Sequence, residues 1–199
     1  MDFQEQNRLY KVRTTVLEMI ADRGIHVPEG YHLTFEEFKV LFESENMDIY
    51  IHDEEKNKRV YVHFHMKNST INKNDLKSLM NNVLEEYEDE EISVIVILKE
   101  KENSIVTKEL LKPIYRNVEI FLQKYMTFNI THHILVPKHI PLTEEEEAEL
   151  TEKYNKSKLP KIMKTDPISR YYGMKIDKVF KIIRNSNVSG ESIYYRVVK

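Results

Sequence analysis

The chain has 199 residues, with 30 Lys+Arg against 33 Asp+Glu and a formal charge of −3. Only 4 Gly and 6 Pro exclude a collagen-like or low-complexity chain, and 0 Cys excludes a disulfide scaffold, a thiol nucleophile and a thiolate metal site. The 41% hydrophobic content suffices for one medium or two small domains, each of roughly 100–150 residues.

The N-terminus, MDFQEQNRLYKVR, is polar and lacks the apolar centre of a signal peptide, and no apolar run approaches the roughly 18–20 residues that cross a bilayer. The protein is therefore expected inside the cell, where the Asn-x-Ser/Thr triplets at Asn68, Asn129 and Asn187 are chance matches. Leu9, Val12, Val16, Leu17 and Ile20 recur at helical spacing, and Gly24 is a natural stop. Thr34 and Glu37 form a capping-box pattern that opens a short helix burying Phe35, Phe38 and Leu41. Asp48–His52 and Val60–Met66 then read as strands joined by a charged turn, with Val60, Val62, Phe64 and Met66 on one face.

Helical spacing returns from Asn74 to Tyr87 through Leu76, Leu79, Met80, Val83 and Leu84. After the acidic run Glu85 to Glu91, the apolar stretch Ile92–Leu98 predicts a strand buried on both faces. A charged loop, Lys99 to Ser104, precedes an expected helix from Thr107 to Lys124, with Pro113 as a local kink. This alternation of helix and strand is that of an α/β layer domain.

A second region begins near Asn129. Thr143 and Glu146 repeat the capping-box pattern before an acidic helix, and Asn155 to Lys158 is a polar break. Asp166-Pro167 is a strong helix start, Gly173 its stop, and Val179–Arg184 and Ser192–Val198 read as strands joined through Asn185 to Glu191. From Asn129 on there are 13 basic and 9 acidic residues, net +4, leaving 17 and 24, net −7, for residues 1–128.

His63 with His65, and His132 with His133, are paired imidazoles, but without Cys they fall short of the three or four convergent ligands a zinc site needs. No metal and no cofactor is expected. Asp48 and Lys67 on neighbouring strands evoke a nuclease site, yet His63 and His65 stand where its second carboxylate is required. No Gly-rich phosphate loop is present, and the Glu runs read as solvated helix faces, so no catalytic residue is assigned. Glu144 to Glu147 suit the positive end of a helix. From Leu159 on, 9 basic residues face 3 acidic ones, with Tyr171, Tyr172, Tyr194 and Tyr195 interleaved. That composition fits nucleic-acid binding and protein–protein anchoring equally well.

The stretch Leu159-Pro160-Lys161-Ile162, then Thr165 to Lys175 (Thr-Asp-Pro-Ile-Ser-Arg-Tyr-Tyr-Gly-Met-Lys), Val179 to Ser186, Gly190 and Tyr195-Arg196-Val197-Val198 resembles the fifth subunit shared by eukaryotic nuclear RNA polymerases. The same stretch is similar to the small archaeal RNA polymerase subunit that consists of this C-terminal module alone. Upstream, Arg8–Arg13, Asp22-Arg23-Gly24 and Leu33–Phe38 resemble the family's opening helices, and Asn129–His133 with Leu135–His139 its domain junction. The added N-terminal region points to a eukaryotic or large-DNA-virus version.

The resemblance implies an α/β protein of two domains. Residues 1–128 would form a nuclease-like α/β jaw beside downstream DNA. Residues 129–199 would form a small α+β assembly domain with a mixed sheet, docked on the largest polymerase subunit. The protein would be a non-catalytic subunit, binding other polymerase subunits and, weakly, downstream duplex DNA, and no membrane. It would act in the nucleus of a cell, or in the cytoplasm or virion of a virus. The docking residues so implied are Leu159, Pro160, Asp166, Pro167, Arg170, Tyr171, Gly173, Arg184 and Arg196, and the DNA-proximal ones Lys99, Lys101 and Ser104. The family's DNA loop carries Thr-Pro-Ser-Ala, whereas Glu102-Asn103-Ser104-Ile105 stands here. Asn185 and Asn187 replace a usual Pro and Glu in a turn. The competing readings are a free-standing DNA-binding transcription regulator and an inactive nuclease-like protein.

Overall fold

The computed structural model describes residues 3–44, 46–68, 70–87, 91–186 and 190–199. The chain divides into two compact units, Met1–Phe128 and Asn129–Lys199.

In the first unit, α1 (Phe3–Asp22) and α2 (Phe35–Glu43) precede a hairpin of β1 (Ile49–Asp53) and β2 (Lys58–Phe64). Then follow α3 (Lys73–Tyr87), β3 (Ser93–Leu98), α4 (Ser104–Glu109) and β4 (Val118–Leu122). The sheet order is β1-β2-β3-β4, antiparallel in the first pair and parallel in the other two. Parallel neighbours need a crossover, which α3 supplies between β2 and β3, and α4 with a single turn at Pro113–Tyr115 between β3 and β4.

The helix starts follow local chemistry. The Glu37 N–H donates to the Thr34 hydroxyl at 3.3 Å, and the Thr34 N–H to the Glu37 carboxylate at 2.7 Å, a closed capping box. The α1 stripe Leu9, Val12, Val16, Leu17 and Ile20 is buried throughout. Successive strand residues face opposite sides of a sheet. Accordingly Val94, Val96 and Leu98 pack with Leu76, Met80 and Val83 of α3 and Val106 of α4. Ile95 and Ile97, also buried, point to the other side. Each such fully buried aliphatic side chain stabilises by about 1.5–3 kcal/mol relative to exposure.

Two expectations fail here. The helix expected from Thr107 to Lys124 is instead the end of α4, a Pro113 turn and β4, whose Val118, Ile120 and Leu122 lie on the α3 side of the sheet. Pairing with β3 from Val94↔Val118 to Leu98↔Leu122 overrides the helical spacing. Met66 lies beyond β2 and is 40% exposed, so only Val60, Val62 and Phe64 share the buried face. Residues 88–90 of the acidic run and 187–189 of the expected turn, Asn187 among them, lie outside the described residues.

In the second unit, β5 (Lys138–Pro141), α5 (Glu144–Lys153), β6 (Lys161–Ile162), α6 (Pro167–Tyr171), β7 (Val179–Ser186) and β8 (Gly190–Val198) build a mixed sheet of order β5-β7-β8-β6. One face packs on α6 through Ile168, Phe180, Ile182 and Val198, the other on α5 through Leu150, Val179 and Val197. Both units are thus mixed α/β layers, the class expected from the sequence.

Candidate functional site

The segment around α6 is stapled at both ends by its own residues. Asp166 caps it, its carboxylate accepting from the Ile168 N–H at 2.9 Å, and Pro167 supplies the first helical position. At the other end the Gly173 N–H donates to the Arg170 carbonyl at 3.0 Å and the Met174 N–H to the Ser169 carbonyl at 2.9 Å. This paired closure needs the left-handed backbone that Gly173 adopts at φ +61°. Ile168, Ser169 and Tyr171 point inward, and Arg170 is left on the exposed side. Tyr171, only 3% exposed, therefore shapes the surface from beneath.

The strand pairing puts Arg184 opposite Ser192 and Phe180 opposite Arg196. Paired residues share a face, so Arg184, Tyr194 and Arg196 all stand on the α6 side of the sheet. The Arg184 guanidinium lies 5.4 Å from the centre of the Tyr194 ring, and Arg196 Nη1 reaches the Lys161 carbonyl at 3.5 Å. Leu159 packs with Leu150, Val179 and Val197 on the opposite face, while the carbonyl of Pro160 accepts from the Val197 N–H at 2.9 Å. Those two hold β6 in place.

Two further residues of this unit carry no signal in the sequence pattern. His139 of β5 pairs with Ile182 and lies edge-on to Phe180, which puts it on the α6 face too. Burial pushes its imidazole below the usual value, with Arg196 and Arg184 acting the same way and the Pro137 carbonyl and Asp166 opposing. Only the strand pairing reveals it. Glu147, expected on a solvated face, is 8% exposed. Its carboxylate accepts from the Val179 N–H at 2.7 Å and pairs with Lys156 at 3.2 Å.

In the first unit, Lys99 is exposed and pairs with Glu5 at 3.4 Å, and Lys101 is exposed in the same loop. Ser104 opens α4, which Asn103 caps by accepting from the N–H groups of Ile105 and Val106, each at 3.0 Å. Asn103 and Ser104, at the end of the expected charged loop, thus form a helix start. Asp48 is committed structurally: its carboxylate accepts from the Tyr61 hydroxyl at 2.6 Å and the Phe64 N–H at 2.9 Å, and bonds His63 Nδ1 at 2.8 Å. Burial pushes this carboxyl up, but the bonds from His63, Tyr61 and Phe64 outweigh it and hold the group below its usual range. Neighbouring His65 is buried, and its Nε2 has no hydrogen-bond partner among the described residues. Among those residues no group of three or more His, Asp or Glu side chains is placed to hold a metal ion. Nor does any described helix have the length and apolarity to cross a membrane.

The chain matches two family models in series: RNA polymerase Rpb5, N-terminal domain, over residues 3–83, and RNA polymerase Rpb5, C-terminal domain, over residues 128–198. It is 32% identical to the DNA-directed RNA polymerases I, II, and III subunit RPABC1 of Caenorhabditis elegans, and equally to that of Caenorhabditis briggsae, over 99% of this chain and 98% of each relative. The corresponding Dictyostelium discoideum subunit is also 32% identical, over 98% of both chains. With both domains matched in order and an identity of 32% along nearly its whole length, the chain belongs to the Rpb5 family of RNA polymerase subunits.

Proposed function

We propose that this chain serves a multisubunit DNA-directed RNA polymerase as a non-catalytic subunit, docking through residues 129–199 on the largest subunit. Its first unit would lie beside the downstream duplex as a jaw. Family membership makes it a polymerase subunit that works with other polymerase subunits at the site of transcription. That site is nuclear for a cellular chain, and the cytoplasm or virion for a viral one. The observation that carries the docking reading is the α6 face, where Arg184, Arg196 and Tyr194 stand together and the capped turn presents Arg170. Arg and Tyr are the residue types that anchor protein interfaces, and partner carboxylates complement this net +4 unit.

A DNA role for the first unit is local. At net −7 it repels phosphate as a whole, so contacts at Lys99, Lys101 and Ser104 act only when the larger assembly holds the duplex nearby. The deciding experiment is Arg170→Glu in a tagged full-length chain. Co-purification of the largest subunit is expected to be lost while circular dichroism of the free chain is unchanged. Undiminished co-purification overturns the docking role. The free-standing regulator reading predicts salt-sensitive duplex binding by the full chain alone.

A further inference from the structure

In the second unit the strand next to the edge of the sheet, β8, is only partly covered on its β6 side. β8 is nine residues long, yet β6 pairs with it only at Val197 and Val198. Main-chain bonds fix which way its peptide groups point. The N–H groups of Val197 and Lys199 donate toward the β6 side, to the carbonyls of Pro160 and Ile162, each at 2.9 Å. Val198 turns the other way, donating to the Lys178 carbonyl and accepting from the Asp177 N–H, both at 2.9 Å. Alternate residues of a strand direct their main-chain groups to opposite edges. Glu191, Ile193 and Tyr195 therefore present their N–H and C=O groups along the line of β6, upstream of its first residue. No strand pairs with that part of the edge among the described residues.

An open edge of this length invites pairing with another chain unless something covers it. Here it is bordered by Ile193 at 48% and Tyr194 at 51% exposure, two large side chains that gain from burial. Apart from Glu191 at its start, the charge around it is basic: Arg196 leans over it to the Lys161 carbonyl, Arg184 stands behind Tyr194, and residues 159–199 carry 9 basic against 3 acidic groups.

We propose that the edge of β8 from Glu191 to Tyr195 accepts an extended acidic segment of a neighbouring polymerase subunit as an added strand. Main-chain bonds to the three outward residues supply the affinity. Side-chain alternation supplies the specificity: carboxylates on the α6 face meet Arg196 and Arg184, and apolar residues on the other face cover Ile193 and Tyr195. The proposal deepens the docking reading above and rests on it.

Hydrogen exchange compares the free full-length chain with the chain inside polymerase purified through its own tag. At least tenfold slower exchange of the Glu191, Ile193 and Tyr195 amides in the polymerase is expected. Ile193→Pro deletes an outward N–H and leaves the bonds to β7 in place, since even-numbered residues make those. It is expected to lower occupancy in the polymerase at least tenfold with circular dichroism of the free chain unchanged; should it unfold the chain, the exchange result on the natural sequence decides. Assembly with these amides exchanging as in the free chain overturns the added strand alone. Failure of the chain to enter the polymerase overturns the subunit reading beneath it as well. A free chain that sediments as a dimer with the same amides protected assigns the edge to a second copy and also overturns the proposal.

Discussion

The carboxylate of Glu147 accepts a 2.7 Å hydrogen bond from the backbone N–H of Val179, 32 residues further along the chain. It ties the first turn of α5 to the start of β7 across an otherwise apolar contact, and Lys156 balances its charge. Glu147→Ala leaves that buried N–H without an acceptor, at a cost of about 1–3 kcal/mol. Glu147→Gln keeps an acceptor and is expected to cost less. Urea midpoints of the two variants, compared with the natural chain, check both the size and the order.

Asp48 makes the first unit sensitive to acid. Its folded-state carboxyl is held below the ordinary value of 3.8. A depressed carboxylate contributes stability that is fully present above the unfolded-state value and is lost as pH falls through the folded one. The urea midpoint is thus expected to drop between pH 5 and pH 3, and to drop less in Asp48→Asn, which has no proton to take up there. Equal drops in the two proteins would show that Asp48 is not the group responsible.

The capped turn at α6 has two separable ends. Asp166→Ala removes the acceptor for the Ile168 N–H and is expected to cost about 1 kcal/mol, with Asp166→Asn close to neutral. Gly173→Ala forces a Cβ into the left-handed region at φ +61°, at about 1 kcal/mol. The two sites act on opposite ends of one five-residue helix, so chemical denaturation of the double variant tests whether the two costs add.

Charge reversal at Arg184 tests the proposed docking face separately from folding. Arg184 is exposed and Arg196 half-buried, so charge reversal at Arg184 is expected to leave thermal unfolding within about 0.5 kcal/mol of the natural chain. Recovery of partner subunits in a pull-down is expected to fall at least tenfold for Arg184→Glu, and to fall further with rising salt. Recovery that is unaffected by both charge and salt would remove Arg184 from the proposed interface.

Elements governed by neighbours along the chain are legible in the amino-acid sequence. The Thr34–Glu37 and Thr143–Glu146 boxes and the Asp166-Pro167 start are local hydrogen-bond chemistry, and each forms as its residues dictate. The apolar run of β3 likewise announces a strand with both faces covered. β4, β5 and β6 are not legible in this way, because their existence depends on distant partners. Val118–Leu122 has no local reason to extend until β3 offers its edge, and Lys161–Ile162 is a two-residue strand only because Val197 and Val198 lie beside it. The same cause hides His139, which reaches the α6 face through pairing with Ile182. Glu147 is deceptive for a related reason: an acidic first turn looks solvated until another segment folds over it.

β8 is an interior strand of its sheet although it is the last strand in the chain, whereas β1 to β4 are complete by Leu122. During synthesis the first unit can thus close while translation continues. The second unit has to wait until Val198 leaves the ribosome, because among the described residues β6 pairs with no strand but β8. A nascent chain arrested before Gly190 would for that reason carry a folded first unit beside a second unit whose sheet lacks β8, the strand that joins β7 to β6.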